Sequence, residues 1–244
     1  MQDLKKLRDL NLKIAKKKVK ESINEDNLIS QTINSIDEID KVSNTLVKRL
    51  KEWYSLYNPE FVVSISNNQK FVDLIQKKSK NQLLNELKVK ETMGADLSKP
   101  DLGAIMVLAK EIESIMAYKE TQKKYLESLM KKYCPNLHTI AGTTIGAKLI
   151  EHTGSLRKLA VLPSSTIQIL GAEKALFRHI KTGAKPPKFG IIHDHQFILQ
   201  SNKAEQGKKA RALADKISLA VRTDFFKGKF IADKLNEELK LKFK

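Results

Sequence analysis

The sequence predicts an all-α protein: a long antiparallel coiled-coil rod followed by a compact helical domain. Three observations predict it. Two stretches of about thirty residues, 28–57 and 100–133, carry apolar residues at alternating three- and four-residue steps. Beyond Pro135 the segments shorten, glycine and proline become frequent and basic residues gather. Strand-like alternation is almost absent, with Ile191–Ile192 the only short run of that kind.

Each element follows from its pattern. Residues 4–20 place Leu4, Leu7, Leu10, Ile14 and roughly Val19 near one face of a basic helix. From Leu28 to Tyr57 there is no Gly or Pro, and Ile29, Ile33, Ile36, Val47, Leu50, Tyr54 and Tyr57 form a seam that Asp40 and Ser43 interrupt. Ile39, Val42, Leu46 and Trp53 form an adjacent stripe, so the apolar face is wider than a two-stranded seam needs. This helix is expected to end at Asn58, before Pro59. In the second long helix Ile105, Ala109, Ile112, Met116, Leu126, Met130 and Tyr133 keep helical spacing, and Pro135 stops it. Met106, Met116 and Met130 read as core packing rather than a ligand surface.

Two helices of that length would each run about 45 Å. Residues 60–98 are expected to cap their far end as short helices, with Phe61, Val62, Val63, Phe71, Leu74, Ile75, Leu83, Leu84 and Leu87 as the core of that cap. Further helical patterns occur at about 138–152, 154–160, 171–181, 203–223 and 230–242. The domain scheme is a basic connector helix at 1–20, a coiled-coil dimerisation domain at 21–134 and an all-α module at 135–244.

Charge separates these regions. The 244 residues include 45 Lys plus Arg and 28 Asp plus Glu, a net +17. Residues 1–20 contribute +6, residues 21–130 contribute −2, and residues 131–244 contribute +13. A uniformly Lys-rich chain would explain the total but not this split. Basic regions gain from displacing counterions condensed on a polyanion, so nucleic acid is the expected partner. The lone Cys134 excludes an intrachain disulfide and favours a reducing compartment. No apolar run approaches a membrane span, and the basic first twenty residues contain no signal-peptide core.

Several constellations fail as catalytic or metal sites. GTTIGAK at Gly142–Lys148 lacks the glycine spacing and the Lys-Ser/Thr of a phosphate loop, and reads as small residues that allow close helix packing. His193 and His195 have strand-like spacing that could bring both to one metal, but no third ligand accompanies them. Cys134 and His138 are four apart and equally incomplete. No nucleophile motif surrounds Cys134.

The informative block is GAEKALFRHIKTGAKPPKFG, Gly171–Gly190. On a helix starting near Glu173, Lys174, Arg178 and Lys181 step by four and three onto one face. Ala175, Leu176 and Ile180 are expected to point mostly inward. Gly183 stops the helix, and Lys185 and Lys188 bracket Pro186–Pro187. A solvated helix face normally mixes acids with its lysines, yet after Glu173 none occurs before Asp194. A rigid basic helix followed by a stiff basic loop suits holding a phosphate backbone in one orientation.

PNLHTIAG, the run GAKLIEHTGSLRKLAVLPSSTIQILGAEKALFRHIKTGAKPPKFGII and GKKARALADKISLAVRTDFF, with IDEIDKVSNTLVKRLKEWYSLYNPE and TMGADLSKPDL before them, resemble the Nop-domain family. These are scaffold proteins of box C/D ribonucleoprotein particles. The resemblance covers about residues 4–244, and its GAKPP continuation is similar to the archaeal branch rather than the nucleolar or spliceosomal ones. It implies an N-terminal fibrillarin-docking domain, a self-associating coiled coil, and a Nop domain that recognises kink-turn RNA together with a small ribosomal-type kink-turn-binding protein. Fibrillarin, not the scaffold, would carry out ribose 2′-O-methylation, so no enzyme activity and no cofactor are expected. Residues 4–20 resemble the connector into the rod with no docking domain before it, so fibrillarin is expected as a partner only where that domain is present. HDHQF at 193–197 departs from the aromatic-containing run usual there, and the long Lys/Glu tail of eukaryotic members does not follow Lys244. The implied location is the archaeal cytoplasm, or the nucleolus in a eukaryote.

The RNA-contact candidates are therefore Lys174, Arg178, Lys181, Lys185 and Lys188, a second row of Lys208, Lys209 and Arg211, and His195. Gln168, Ala172, Glu173 and Phe177 are candidates for the protein partner. Two alternatives stand beside this reading: a splicing-type Nop protein on a small nuclear RNA, and a coiled-coil structural protein with an incidental basic end.

Overall fold

The computed structural model describes residues 2–243, with side chains from Leu4 onward; Met1 and Lys244 lie outside it. Among these residues the regular structure is entirely helical. Contact density separates two compact units, Met1–Ile33 with Tyr125–Lys244, and Asn34–Lys124. No helix among the described residues is long and apolar enough to cross a membrane.

The helix α1 (Gln2–Glu21) forms as its spacing predicts, and Leu4, Leu7, Leu10, Ile14 and Val19 all remain exposed. The first long helix, α2 (Glu25–Tyr54), and the second, α6 (Lys99–Tyr133), match the two long patterns. Within the Asn34–Lys124 unit they run antiparallel. Val47, Leu50 and Tyr54 share one core with Ile105, Ala109 and Ile112, while Asp40 pairs with Lys119. The interruptions of the seam are thus answered locally: Asp40 finds a cation on the facing helix, and Ser43 is small enough to be buried.

The first long helix stops earlier than expected. Tyr57 and Asn58 both donate their backbone N–H groups to the Tyr54 carbonyl, which closes a turn. Asn58 instead caps the next helix, its Oδ1 accepting from Phe61 N, with Pro59 at the first helical position. The cap then consists of α3 (Pro59–Ser64), α4 (Asn68–Lys77) and α5 (Lys80–Glu86). Phe61, Phe71, Ile75, Leu83 and Leu84 are buried there, whereas Val63 points to solvent. Lys80 is buried because its ammonium donates to the Gly94 and Ala95 carbonyls and lies 4.5 Å from the centre of the Tyr57 ring.

The other unit is built on α7 (Pro135–Ala141), α8 (Thr143–Thr153), α9 (Leu156–Val161), α10 (Ser164–Ile169), α11 (Glu173–Thr182), α12 (Gln196–Leu199), α13 (Gln206–Phe225) and α14 (Ala232–Lys242). The continuous pattern expected at 138–152 is broken at Gly142, whose φ of +78° ends α7. The small-residue reading of the next stretch holds at Gly146, where a Cβ would come 2.8 Å from Met130 Cε. The helix α13 is central, packed by α7, α9 and α10, and buries Ala210, Leu213, Ala214, Ile217 and Val221 as its spacing predicts.

Two carboxylates tie this unit together. Asp224, near the end of α13, accepts from the backbone N–H groups of Asn136 and Leu137 and from Asn136 Nδ2 at 2.7–3.1 Å, so it caps the positive end of α7. Asn136 Oδ1 accepts in turn from Ile231 N and Ala232 N, fixing the start of α14. Asp26 of α2 accepts from Leu156 N at 3.1 Å and from Tyr133 of α6. This joins the first turns of α2 and the last turns of α6 to the C-terminal helices.

Candidate RNA interface

The helix α11 stands on its neighbours with no residue fully buried. Its start is fixed by Gly171, at φ +85°, where a Cβ would lie 2.6 Å from Ile191 Cγ1. Glu173 Oε1 accepts from Gly171 N at 2.7 Å and contacts His152 Nε2 at 2.7 Å. Burial raises this carboxyl, but the two backbone N–H groups and His152 outweigh it and hold the pKa below the ordinary carboxylate value. At the other end Gly183 takes the left-handed conformation, with φ +69°, and His179 Nδ1 bonds to the Ala184 carbonyl.

Lys174, Arg178 and Lys181 are all exposed, and the three- and four-residue steps between them place them on one face. Ile180 does not turn inward as expected. The inward arc runs through Ala175, Leu176 and His179, which are half-buried; Ile180 is 73% exposed and Phe177 67% exposed. The helix therefore presents a cationic stripe beside an apolar one.

The segment after α11 is strapped to α10. Gln168 Nε2 donates to the Lys188 carbonyl at 2.6 Å, Gly190 N to the Gln168 carbonyl at 2.9 Å, and Ile191 N to the Leu170 carbonyl at 2.7 Å. Only glycine fits at 190, because a Cβ would fall 1.9 Å from the Leu170 carbonyl oxygen. The strap brings Lys188 to a cleft of about 570 Å³ shared with Gln168, Lys208, Arg211, Asp215, Lys242 and Phe243. Three candidate cations from two distant stretches thus meet, joined by Lys242, which no local sequence pattern marks. No ion pair ties up Lys174, Arg178, Lys181, Lys185, Lys188, Lys208 or Arg211 among the described residues.

The family model Nop, described as "snoRNA binding domain, fibrillarin", matches residues 35–244. The chain belongs to the Nop family. A NOP5 family protein of Methanocaldococcus jannaschii is 40% identical over 96% of this chain and 61% of its own length. Nucleolar protein 56 of Homo sapiens is 38% identical over 86% of this chain and 39% of its own length. The chain therefore spans between about two-fifths and three-fifths of these curated relatives. A crystal structure of a fibrillarin/Nop5p complex is similar with a TM-score of 0.58 and 25% identity, covering 98% of this chain and 77% of that one.

The remaining candidates of this Nop chain are placed differently. Lys209 leaves the cleft: its ammonium lies 5.2 and 5.7 Å from the centres of the Phe197 and Phe243 rings and 3.9 Å from Glu205. A residue next to Lys208 on a helix points about 100° away from it. Gln168 and Glu173 have internal partners and Ala172 is half-buried, whereas the Phe177 ring is exposed. His195 is also engaged internally. Its Nδ1 accepts from Phe197 N at 3.2 Å, which leaves Nε2 to donate to the Ile140 carbonyl at 3.1 Å.

The strand-like reading of residues 191–195 is corrected: Ile191–Asp194 is a 3₁₀ turn. His193 stacks on Phe189 with ring centres 4.6 Å apart, while His195 reaches Ile140, so the two imidazoles serve different neighbours. No group of three or more His, Cys, Asp or Glu that could hold a metal occurs among the described residues. Cys134 is buried against Met130, and burial raises its thiol pKa far above the usual range. The signals for Lys242 and for the short helices α10 and α12 were absent from local sequence, since each depends on contacts with α13 or the strap.

Proposed function

We propose that this Nop chain is the RNA- and protein-binding portion of a box C/D ribonucleoprotein scaffold. Its Nop module, about residues 135–244, holds kink-turn RNA together with the small protein already bound to that RNA. The observation that carries this reading is the composition of the α11 face, where unpaired Lys174, Arg178 and Lys181 adjoin exposed Phe177 and Ile180. Cations hold phosphates, and an apolar stripe beside them suits a protein that shares the same site. The strapped loop and the cleft of Lys188, Lys208 and Arg211 extend the phosphate-binding surface.

The long helices serve self-association in this proposal. Val42 and Trp53 on α2 and Val107 on α6 remain exposed after the two helices have paired, which supports a second copy covering them. The chain orders the particle and does not itself transfer a methyl group; fibrillarin supplies that chemistry.

A band-shift series tests the reading, with kink-turn RNA alone, RNA with its primary binding protein, and each with this chain added. The proposal expects a discrete slower band only when the binding protein is present. Equal shifting of bare RNA and of the protein–RNA complex would mark diffuse polycation binding and contradict it.

A further inference from the structure

We propose that the turn between α13 and α14, Phe226–Phe230, is a stacking site for single-stranded RNA, distinct from the α11 face. The proposal extends the RNA-binding reading to a surface which that reading does not use. Phe226 is 75% exposed and Phe230 51% exposed, with Lys227 and Lys229 exposed between them. Two exposed rings and two exposed lysines thus fall within five consecutive residues.

Backbone hydrogen bonds fold the first half of the turn, Phe226–Gly228, back onto the end of α13. Phe226 N bonds to the Arg222 carbonyl at 3.0 Å, Lys227 N to the Asp224 carbonyl at 3.2 Å and Gly228 N to the Thr223 carbonyl at 2.8 Å. Lys227 adopts φ +53°, the left-handed conformation with which helices commonly end. A Cβ at Gly228 would lie 2.9 Å from Thr223 Cγ2. Phe225 packs edge-on against Phe226, with ring centres 5.1 Å apart. Arg222 is held by the Ala160 carbonyl, so it braces the end of α13.

Charge selects the class of ligand. No acid occurs from Phe225 to Ala232, and the Asp224 carboxylate is turned onto the start of α7. Beside the turn, a cleft of about 600 Å³ brings Lys132 and Tyr133 to Phe225 and Lys227, with Glu25 its one other charged lining group besides Asp224. Rings flanked by cations match a strand whose bases are free to stack and whose phosphates run alongside. A duplex hides its base faces and would use the lysines alone; an apolar protein surface would have no use for the lysines.

The test uses the full chain and a fluorescent oligouridine, with an RNA duplex as the control. Each ring removed takes away one base-stacking platform. Phe226→Ala and Phe230→Ala are each expected to weaken oligouridine binding by about ten-fold. Duplex binding and ternary assembly on kink-turn RNA should be unchanged. In a second measurement, Phe226→Trp in a Trp53→Phe background should lose fluorescence as oligouridine is added. Unchanged oligouridine affinity with no quenching overturns the proposal, as does equal weakening of single strand and duplex. Loss of the kink-turn-binding protein in Phe226→Ala would make the turn a protein-docking surface and overturn it too. The outcome is independent of the α11 reading, which fails separately if Arg178→Ala leaves ternary assembly intact.

Discussion

His195 occupies both ring nitrogens inside the fold, and this gives it a testable pH signature. Burial holds its imidazole below the ordinary value, against the opposing pull of the Ile140 carbonyl; His138, also half-buried and near Lys131, is lowered as well. A base with a lowered folded-state pKa contributes stability that is present above its unfolded value of about 6.5 and is lost as pH falls through the folded value. The melting temperature should therefore fall as the solution is acidified from about pH 7.5 to about pH 5. His195→Gln should cost about 1–2 kcal/mol at neutral pH and flatten that fall. Comparing the two curves isolates the imidazole from Asp26 and Asp224, whose raised carboxyl values act in the opposite direction. Parallel curves would show that His195 does not titrate with folding.

At this scale the exposed cations were legible, because an acid-free run of lysines with helical spacing is a local property. The internal hydrogen bonds of Gln168 and Glu173 were not. Each depends on a partner about twenty residues away, Lys188 for one and His152 for the other. Amphipathic spacing placed Ile180 inward because it averages over the helix, whereas a helix with so few neighbours has only a narrow covered arc.

Among the elements, α2 and α6 were legible through their long periodicity, and Gly142 and Asn58 show what periodicity omits. A positive-φ glycine and an asparagine that prefers to cap the next helix each end a pattern that the apolar residues alone would continue. The exposed stripe on these helices carries the proposed self-association. Sedimentation of the full chain at micromolar concentration should give a dimer. Val42→Arg with Trp53→Arg should weaken that dimer by at least about 100-fold, since unpaired charges would be buried in an apolar contact. Both positions are exposed in the single chain, so the fold should survive the change. A wild-type monomer at that concentration would remove the dimer from the account.

For the whole molecule, charge asymmetry places the unpaired cations in the C-terminal half but does not show how they are assembled. The strap of residues 188–191 onto α10, the inward turn of Lys209 and the arrival of Lys242 at the cleft all arise from tertiary contacts with α10 and α13. In the proposed function Arg178 belongs to a defined phosphate-holding face rather than to a general positive field. Ternary assembly measured across a salt series, with the primary kink-turn binder present, tests this most directly. A charged hydrogen bond to phosphate is worth about 1.5–3 kcal/mol, so Arg178→Ala should weaken assembly by about ten-fold or more. It should also lower the log–log salt slope by about one unit. Lys77→Ala removes the same charge from the exposed end of α4, in the other compact unit, and should change little at physiological salt. Equal weakening by Arg178→Ala and Lys77→Ala, with the same salt slope, would contradict the account.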